Sequence, residues 1–158
     1  MAVACVKARS VYELGCGPGP SLRLLRETMP DLKLGGCDIR PAYVEWCLQH
    51  GLYAEVATCS QPVKPEWDAT LSCYVMAYLD KELTIEQLSV IQSRSLILME
   101  PQGHGECTAN IAGLNKICAP RFYHNWRELL RVTGWEMIWR WPVSQADDLS
   151  TLVIAVRA

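Results

Sequence analysis

The stretch Glu13-Leu14-Gly15-Cys16-Gly17-Pro18-Gly19-Pro20 holds the densest chemical signal in the chain. Glycines at 15, 17 and 19 remove side chains at alternate positions. The backbone there can take positive φ angles, and a ligand can approach its amides closely. Glu13 sets a carboxylate at the end of the preceding apolar run, Val11–Leu14. Such a carboxylate suits a cationic or hydroxylated ligand and repels a pyrophosphate. The glycine spacing also differs from the G-x-G-x-x-G of dinucleotide sites. Pro20 fits the first turn of a following helix, where its missing N–H costs little.

Eight cysteines, at 5, 16, 37, 47, 59, 73, 107 and 118, invite a metal or disulfide reading. None forms a C-x-x-C pair, and a zinc site normally shows one short-spaced pair. Most lie in apolar runs, where cysteine acts as a small hydrophobe. They read as buried free thiols, and no metal site is expected.

The elements that must position these residues alternate between short apolar runs and helical patterns, as in a parallel α/β sheet. Strands are expected at about Ser10–Leu14, Lys33–Cys37, Tyr53–Ala57, Ala69–Ser72 and Ser95–Met99. Helices are expected at Ser21–Thr28, Pro41–His50, Lys81–Gln92 and Asn125–Val132. Asn125 reads as an N-cap and Gly134 as a C-terminal cap. Two more strands, Trp135–Trp141 and Thr151–Arg157, flank the polar segment Pro142–Ser150. A connection that short makes them antiparallel. The result is five parallel strands plus a terminal antiparallel pair, in one domain over residues 1–158. A formal net charge of −2 over 158 residues argues against a generally basic nucleic-acid surface. No run is long enough for a transmembrane helix, and no membrane association is expected. The N-terminus lacks the order of a signal peptide, so a cytoplasmic location is expected.

Residue by residue, the chain resembles a class I S-adenosylmethionine-dependent methyltransferase over nearly its whole length. The family's acidic, glycine-rich first motif is similar to Glu13-Leu14-Gly15-Cys16-Gly17-Pro18-Gly19. The ribose-binding acid at the end of its second strand matches Asp38, in Gly36-Cys37-Asp38-Ile39-Arg40. Trp67-Asp68-Ala69-Thr70-Leu71-Ser72-Cys73-Tyr74 resembles its fourth motif. Leu98-Met99-Glu100-Pro101 resembles the end of strand five, and Thr133-Gly134-Trp135 the turn before strand six. The resemblance implies an α/β, Rossmann-like three-layer sandwich with a seven-stranded mixed sheet. It implies S-adenosylmethionine as cofactor, held by Glu13, Gly15, Cys16, Gly17, Gly19, Asp38, Ile39, Thr58, Cys59, Ser72, Cys73 and Tyr74. Asp38 has a plainer alternative as a helix N-cap. Where the family usually offers an acid to adenine, this chain has Thr58-Cys59-Ser60. The resemblance also implies fewer residues ahead of the first motif than many relatives carry.

In open α/β sheets ligands sit outside the carboxyl ends of the strands. That rule points to Ser72–Tyr74 after strand four and Glu100–His104 after strand five. The loop-like segment Gln102–Arg121, with His104, Glu106, Cys107 and Asn110, is the expected substrate-facing element. His104 or Tyr74 could serve as general base if the acceptor is a hydroxyl or amine. The expected function is methyl transfer to a small molecule, with a protein or RNA acceptor as a possibility. A catalytically silent binding subunit that supports a partner, or a homodimer, is the alternative. Trp135, Met137, Trp139 and Trp141 alternate and are expected on one sheet face, buried under helices or exposed toward a partner.

Overall fold

The computed structural model describes residues 2–58, 61, 63–64, 66–101, 105–107, 121–145 and 148–158. The core strands are β1 (Ser10–Leu14), β2 (Lys33–Asp38), β3 (Ala54–Val56), β4 (Ala69–Cys73) and β5 (Ser95–Pro101). Two short strands, β6 (Gly105–Cys107) and β7 (Arg121–Tyr123), pair only with each other. They are followed by β8 (Trp135–Gln145) and β9 (Asp148–Arg157). The helices are α1 (Ala2–Cys5), α2 (Pro20–Thr28), α3 (Pro41–Gln49), α4 (Lys81–Val90) and α5 (Trp126–Val132), with a 3-10 turn at Met76–Tyr78.

The main sheet has seven strands in the order β3-β2-β1-β4-β5-β9-β8. Its first five run parallel, and β9 enters antiparallel between β5 and β8. The expected mixed sheet is therefore observed. Strand order reverses between β1 and β4, so their carboxyl ends open a crevice at that switch point.

Alternation along each strand divides the core into two layers. Tyr12, Leu14, Leu96, Leu98, Val153 and Ala155 face α4 and α5. Val11, Ala69 and Ile97 face the opposite way with Val3 of α1, and Leu22 of α2 packs with Val44 and Cys47 of α3 on that side. The parallel strands read as continuous apolar runs because both faces are covered. Pro20 stands at the start of α2, the Asn125 side chain caps α5 through the Glu128 N–H at 3.4 Å, and Gly134 ends α5 at φ 77°. Cys16, Cys37 and Cys47 are buried free thiols, whereas Cys5 is exposed. Among the described residues no group of side chains could hold a metal ion, and no helix is long and apolar enough to cross a membrane.

Three expectations need correction. The segment 142–150 is not a polar loop over its whole length, because the β8–β9 ladder continues through Pro142↔Thr151, Val143↔Ser150 and Ser144↔Leu149. An edge strand can be polar, and it tolerates a proline whose missing donor faces outward. The Gln102–Arg121 segment is not wholly loop, since it contributes β6 and the start of β7. The tryptophan row is split. A bulge between Met137 and Trp139 leaves Ile138 unpaired and changes the face of everything after it. Trp135 and Met137 stay against the core on the α5 side. Trp139 and Trp141, opposite Ile154 and Leu152, stack on the other face at 43% and 60% exposure.

One strand glycine is fixed by packing alone. A Cβ at Gly35 would lie 2.7 Å from the Trp67 ring and 2.9 Å from Tyr53. Trp67 cannot retreat easily, since it is buried against Tyr12 at 5.3 Å between ring centroids and carries the Lys33 ammonium at 4.5 Å. Gly35→Ala is expected to cost roughly 1–3 kcal/mol of stability through overpacking. Urea unfolding checks this, and an unchanged midpoint would contradict the packing account.

Candidate functional site

The site forms where the β1 and β4 turns meet. After Leu14 the chain reverses through Gly15, Gly17 and Gly19, at φ of 59°, 53° and 75°. These left-handed values are strained for most side chains, which is why the turn needs glycine. Gly15 carries a second constraint, because its Cβ would fall 2.4 Å from a methyl of Val75 in the turn after β4. A Cβ at Gly17 would meet nothing within 4 Å. The turn is thus pressed against the protein at Gly15 and open at Gly17.

Asp38 ties this turn to the end of β2. Its Oδ2 accepts the Gly17 N–H at 2.9 Å, and its Oδ1 accepts the Arg40 N–H at 2.9 Å. It does not cap α3, whose N-cap is Arg40. One hydrogen bond per oxygen leaves each with further acceptor capacity. Cys16 donates its N–H to the Cys37 carbonyl at 2.8 Å, and the Cys16 and Cys47 thiols both point at the Gly17 carbonyl, at 3.6 and 3.4 Å. The next residue along, Ile39, is 63% exposed.

Glu13 is the exception to the otherwise satisfied surroundings. It is 2% exposed, and its Oε2 has no hydrogen-bond partner. Burial pushes its pKa up to about 7, against a Ser21 hydrogen bond that favours the ionised form. A buried carboxylate oxygen without a donor is costly and calls for a partner from outside the chain.

The turn after β4 holds the other expected residues. Tyr74 has φ 56°, a strained value for an aromatic residue, and donates its N–H to Met99 at 2.9 Å. Its hydroxyl bonds Ser150 of β9. Cys73 is half-buried, and burial raises its thiol to about 11. The Ser72 hydroxyl donates to Glu100 at 2.7 Å, and both residues are fully buried. Thr58 lies exposed beyond β3, while Cys59, His104 and Asn110 lie outside the described residues. Asp68 stands at the far end of the sheet, held by the Arg9 N–H and Arg94, as a turn-forming residue would be.

Sequence reasoning missed His124 as a structural group. Its Nε2 sits 3.1 Å from the Met76 and Leu79 carbonyls and 3.2 Å from the Thr84 hydroxyl, and burial lowers its pKa. A cavity of about 530 Å³ lies elsewhere, bounded by Tyr12, Tyr53, Glu55 and Trp67. Its Tyr12 hydroxyl is already bonded to Glu55 at 2.6 Å, so it lacks the orphaned group that marks the crevice.

The Glu13 environment has a measurable cost. An acid whose pKa is higher folded than unfolded destabilises the fold above the folded value. That cost is relieved as pH falls from about 7 toward the ordinary carboxylate range. Glu13→Gln is therefore expected to stabilise the ligand-free protein by roughly 1–3 kcal/mol at pH 8 and by much less at pH 5. Urea titrations at the two pH values check this, and a variant less stable at pH 8 would contradict it.

No protein-family model matches the sequence, and no curated protein matches it. Solved structures do match in three dimensions. One is magnesium protoporphyrin IX methyltransferase from Synechocystis with bound S-adenosylmethionine, at 18% identity and TM-score 0.70, over 99% of this chain and 74% of that one. The methyltransferase domain of a bacterial Hen1 protein matches at 16% identity and TM-score 0.73, over 98% of this chain and 93% of its own. Mitomycin 7-O-methyltransferase matches at 16% identity and TM-score 0.73, over 99% of this chain. The present chain spans about half the length of that enzyme, 52%. With its seven-stranded sheet and reversed last strand, the chain has the fold of the class I S-adenosylmethionine-dependent methyltransferases.

Proposed function

We propose that this chain binds S-adenosylmethionine in the β1–β4 crevice and transfers its methyl group to a small-molecule acceptor. The observation that carries the reading is the orphaned Glu13 oxygen, buried beside the glycine turn. A ligand ammonium is the partner such an oxygen lacks, and a pyrophosphate would be repelled. Two structures of the same fold support the reading, one with S-adenosylmethionine bound and one with S-adenosylhomocysteine.

In this reading Glu13 receives the methionine ammonium. The open backbone at Gly17 packs against the methionine portion. The free lone pairs of Asp38 accept from the ribose hydroxyls, and exposed Ile39 offers an apolar surface to adenine. Thr58 and Cys73 flank the same end of the sheet. When bound, the cofactor supplies an electrophilic methyl on a sulfonium with a neutral leaving group. The chain's own task is then alignment and exclusion of water rather than covalent attack. Tyr74, and His104 beyond it, are the residues assigned to take a proton if the acceptor must lose one. Free buried thiols support a reducing, cytoplasmic setting.

A binding subunit without turnover is the second reading. The Tyr74 hydroxyl favours it, being already engaged with Ser150. Calorimetry separates the possibilities. S-adenosylmethionine and S-adenosylhomocysteine are expected to bind at micromolar Kd, NAD not at all, and Asp38→Ala to lose at least about tenfold, the loss of one good hydrogen bond. Failure of both adenosyl ligands to bind would overturn the proposal. Binding with no S-adenosylhomocysteine formed across a panel of hydroxyl and amine acceptors would leave the silent subunit.

A further inference from the structure

Glu100, next to the end of β5, is a third buried acid near the crevice after Glu13 and Asp38, and the chemistry above leaves it unused. Among the described residues its carboxyl receives four hydrogen bonds. Oε1 accepts from the Ser72 hydroxyl at 2.7 Å, the Val75 N–H at 3.0 Å and the Met76 N–H at 3.2 Å. Oε2 accepts from the Ala77 N–H at 3.3 Å. An ionised carboxylate only accepts, so this shell fits the anion. A protonated acid would turn an O–H against N–H donors that cannot move aside without unwinding the turn.

Those donors belong to the segment that shapes the crevice. The three amides open the 3-10 turn Met76–Tyr78, directly after Tyr74 in its strained left-handed conformation. Between them Val75 presses its methyl groups to the place a Gly15 Cβ would occupy. Glu100 is therefore the far side of the clamp whose near side is the cofactor turn.

We propose that Glu100 is a positioning residue for the cofactor crevice, which as a carboxylate gathers Ser72 and the 75–77 amides and so holds Val75 against the Gly15 turn. The inference rests on the cofactor reading of the crevice. Its consequence is that cofactor affinity depends on the ionisation of a group that never touches the cofactor. Burial pushes the Glu100 pKa up to about 7 even against these four hydrogen bonds, so the clamp loosens near neutrality as pH falls.

The ionisable groups facing Glu100 bear on how that titration is read. Cys73 on β4 is raised to about 11 by burial and stays neutral, and Tyr74 lies in the turn itself. Behind the 3-10 turn His124 is held below its ordinary value. On β9 the paired residue is Thr151, which carries no charge. Glu13 on β1 is the other acid, felt with Glu100 at Cys73. Because Glu13 titrates in the same range, the readout must come from the 75–77 amides and not from binding alone.

The test is a pH titration of the ligand-free protein by amide NMR, paired with S-adenosylhomocysteine calorimetry at pH 8. The Val75, Met76 and Ala77 amides are expected to move together with a midpoint between about pH 6 and 8, as hydrogen bonds to a titrating carboxylate do. The titration should persist in Glu13→Gln and vanish in Glu100→Gln. Ser72→Ala, which keeps the carboxylate but removes one donor, should raise the midpoint by about one pH unit. Glu100→Gln keeps one acceptor but turns an NH₂ toward the Ala77 N–H, and should weaken S-adenosylhomocysteine binding at pH 8 by roughly tenfold. If that variant does not fold, the Ser72→Ala shift carries the test. Amides that do not titrate, or a midpoint unmoved by Ser72→Ala, overturn the proposal. So does full affinity in a folded Glu100→Gln. If the amides titrate as expected while the parent protein binds no adenosyl ligand at any pH, the clamp stands and the cofactor reading falls.

Discussion

The approach of Gly15 to Val75 sets the geometry on which the rest of this molecule depends. At the switch point of the sheet, the turns leaving β1 and β4 must pass within van der Waals contact, and the missing Cβ of Gly15 is what lets them. From that contact follow the width of the crevice, the placing of Gly17 at its open side, and the strained conformation of Tyr74. Asp38 holds the first turn from the β2 side and Glu100 the second from the β5 side. The second turn would not keep its shape by local preference alone, since Tyr74 takes a left-handed backbone that the glycines of the first turn adopt freely.

Two buried carboxylates flank this contact, and they differ in a way that separates binding from scaffolding. Glu100 has four donors, and all come from the chain. Glu13 has a bare oxygen. Burial opposes ionisation in both, and the fold compensates them unequally: Ser21 gives Glu13 one hydrogen bond, whereas Glu100 receives four. A buried acid left without a donor costs the fold stability, a loss found at functional positions more often than elsewhere.

Much of this was legible in the residues. The glycine turn, Asp38 at a strand end and the parallel strands announce themselves, because their signals are local: spacing, alternation and turn chemistry. What escaped is what depends on register and on partners distant in sequence. Glu100 reads as a ligand-side residue after strand five until Ser72 and the 75–77 amides are brought around it. Nothing in the residues around His124 points to the Met76 and Leu79 carbonyls that hold it. The Ile138 bulge leaves no mark on a period-two pattern, so Trp139 and Trp141 could not be assigned to their face. The polar length of β8 looked like loop because an outermost strand need bury only part of itself.

That bulge has a consequence for how the molecule ends. A sheet with open edges invites strands from other chains, and the two edges here are closed to that by different means. On one side β3 is only three residues long, too short to template a neighbour. On the other, β8 is long enough, but the extra residue at Ile138 breaks its regular pairing with β9 and Pro142 lacks an N–H. The same irregularity that turns two tryptophans to the opposite face thus interrupts the longest edge of the sheet, a feature that discourages pairing with another strand.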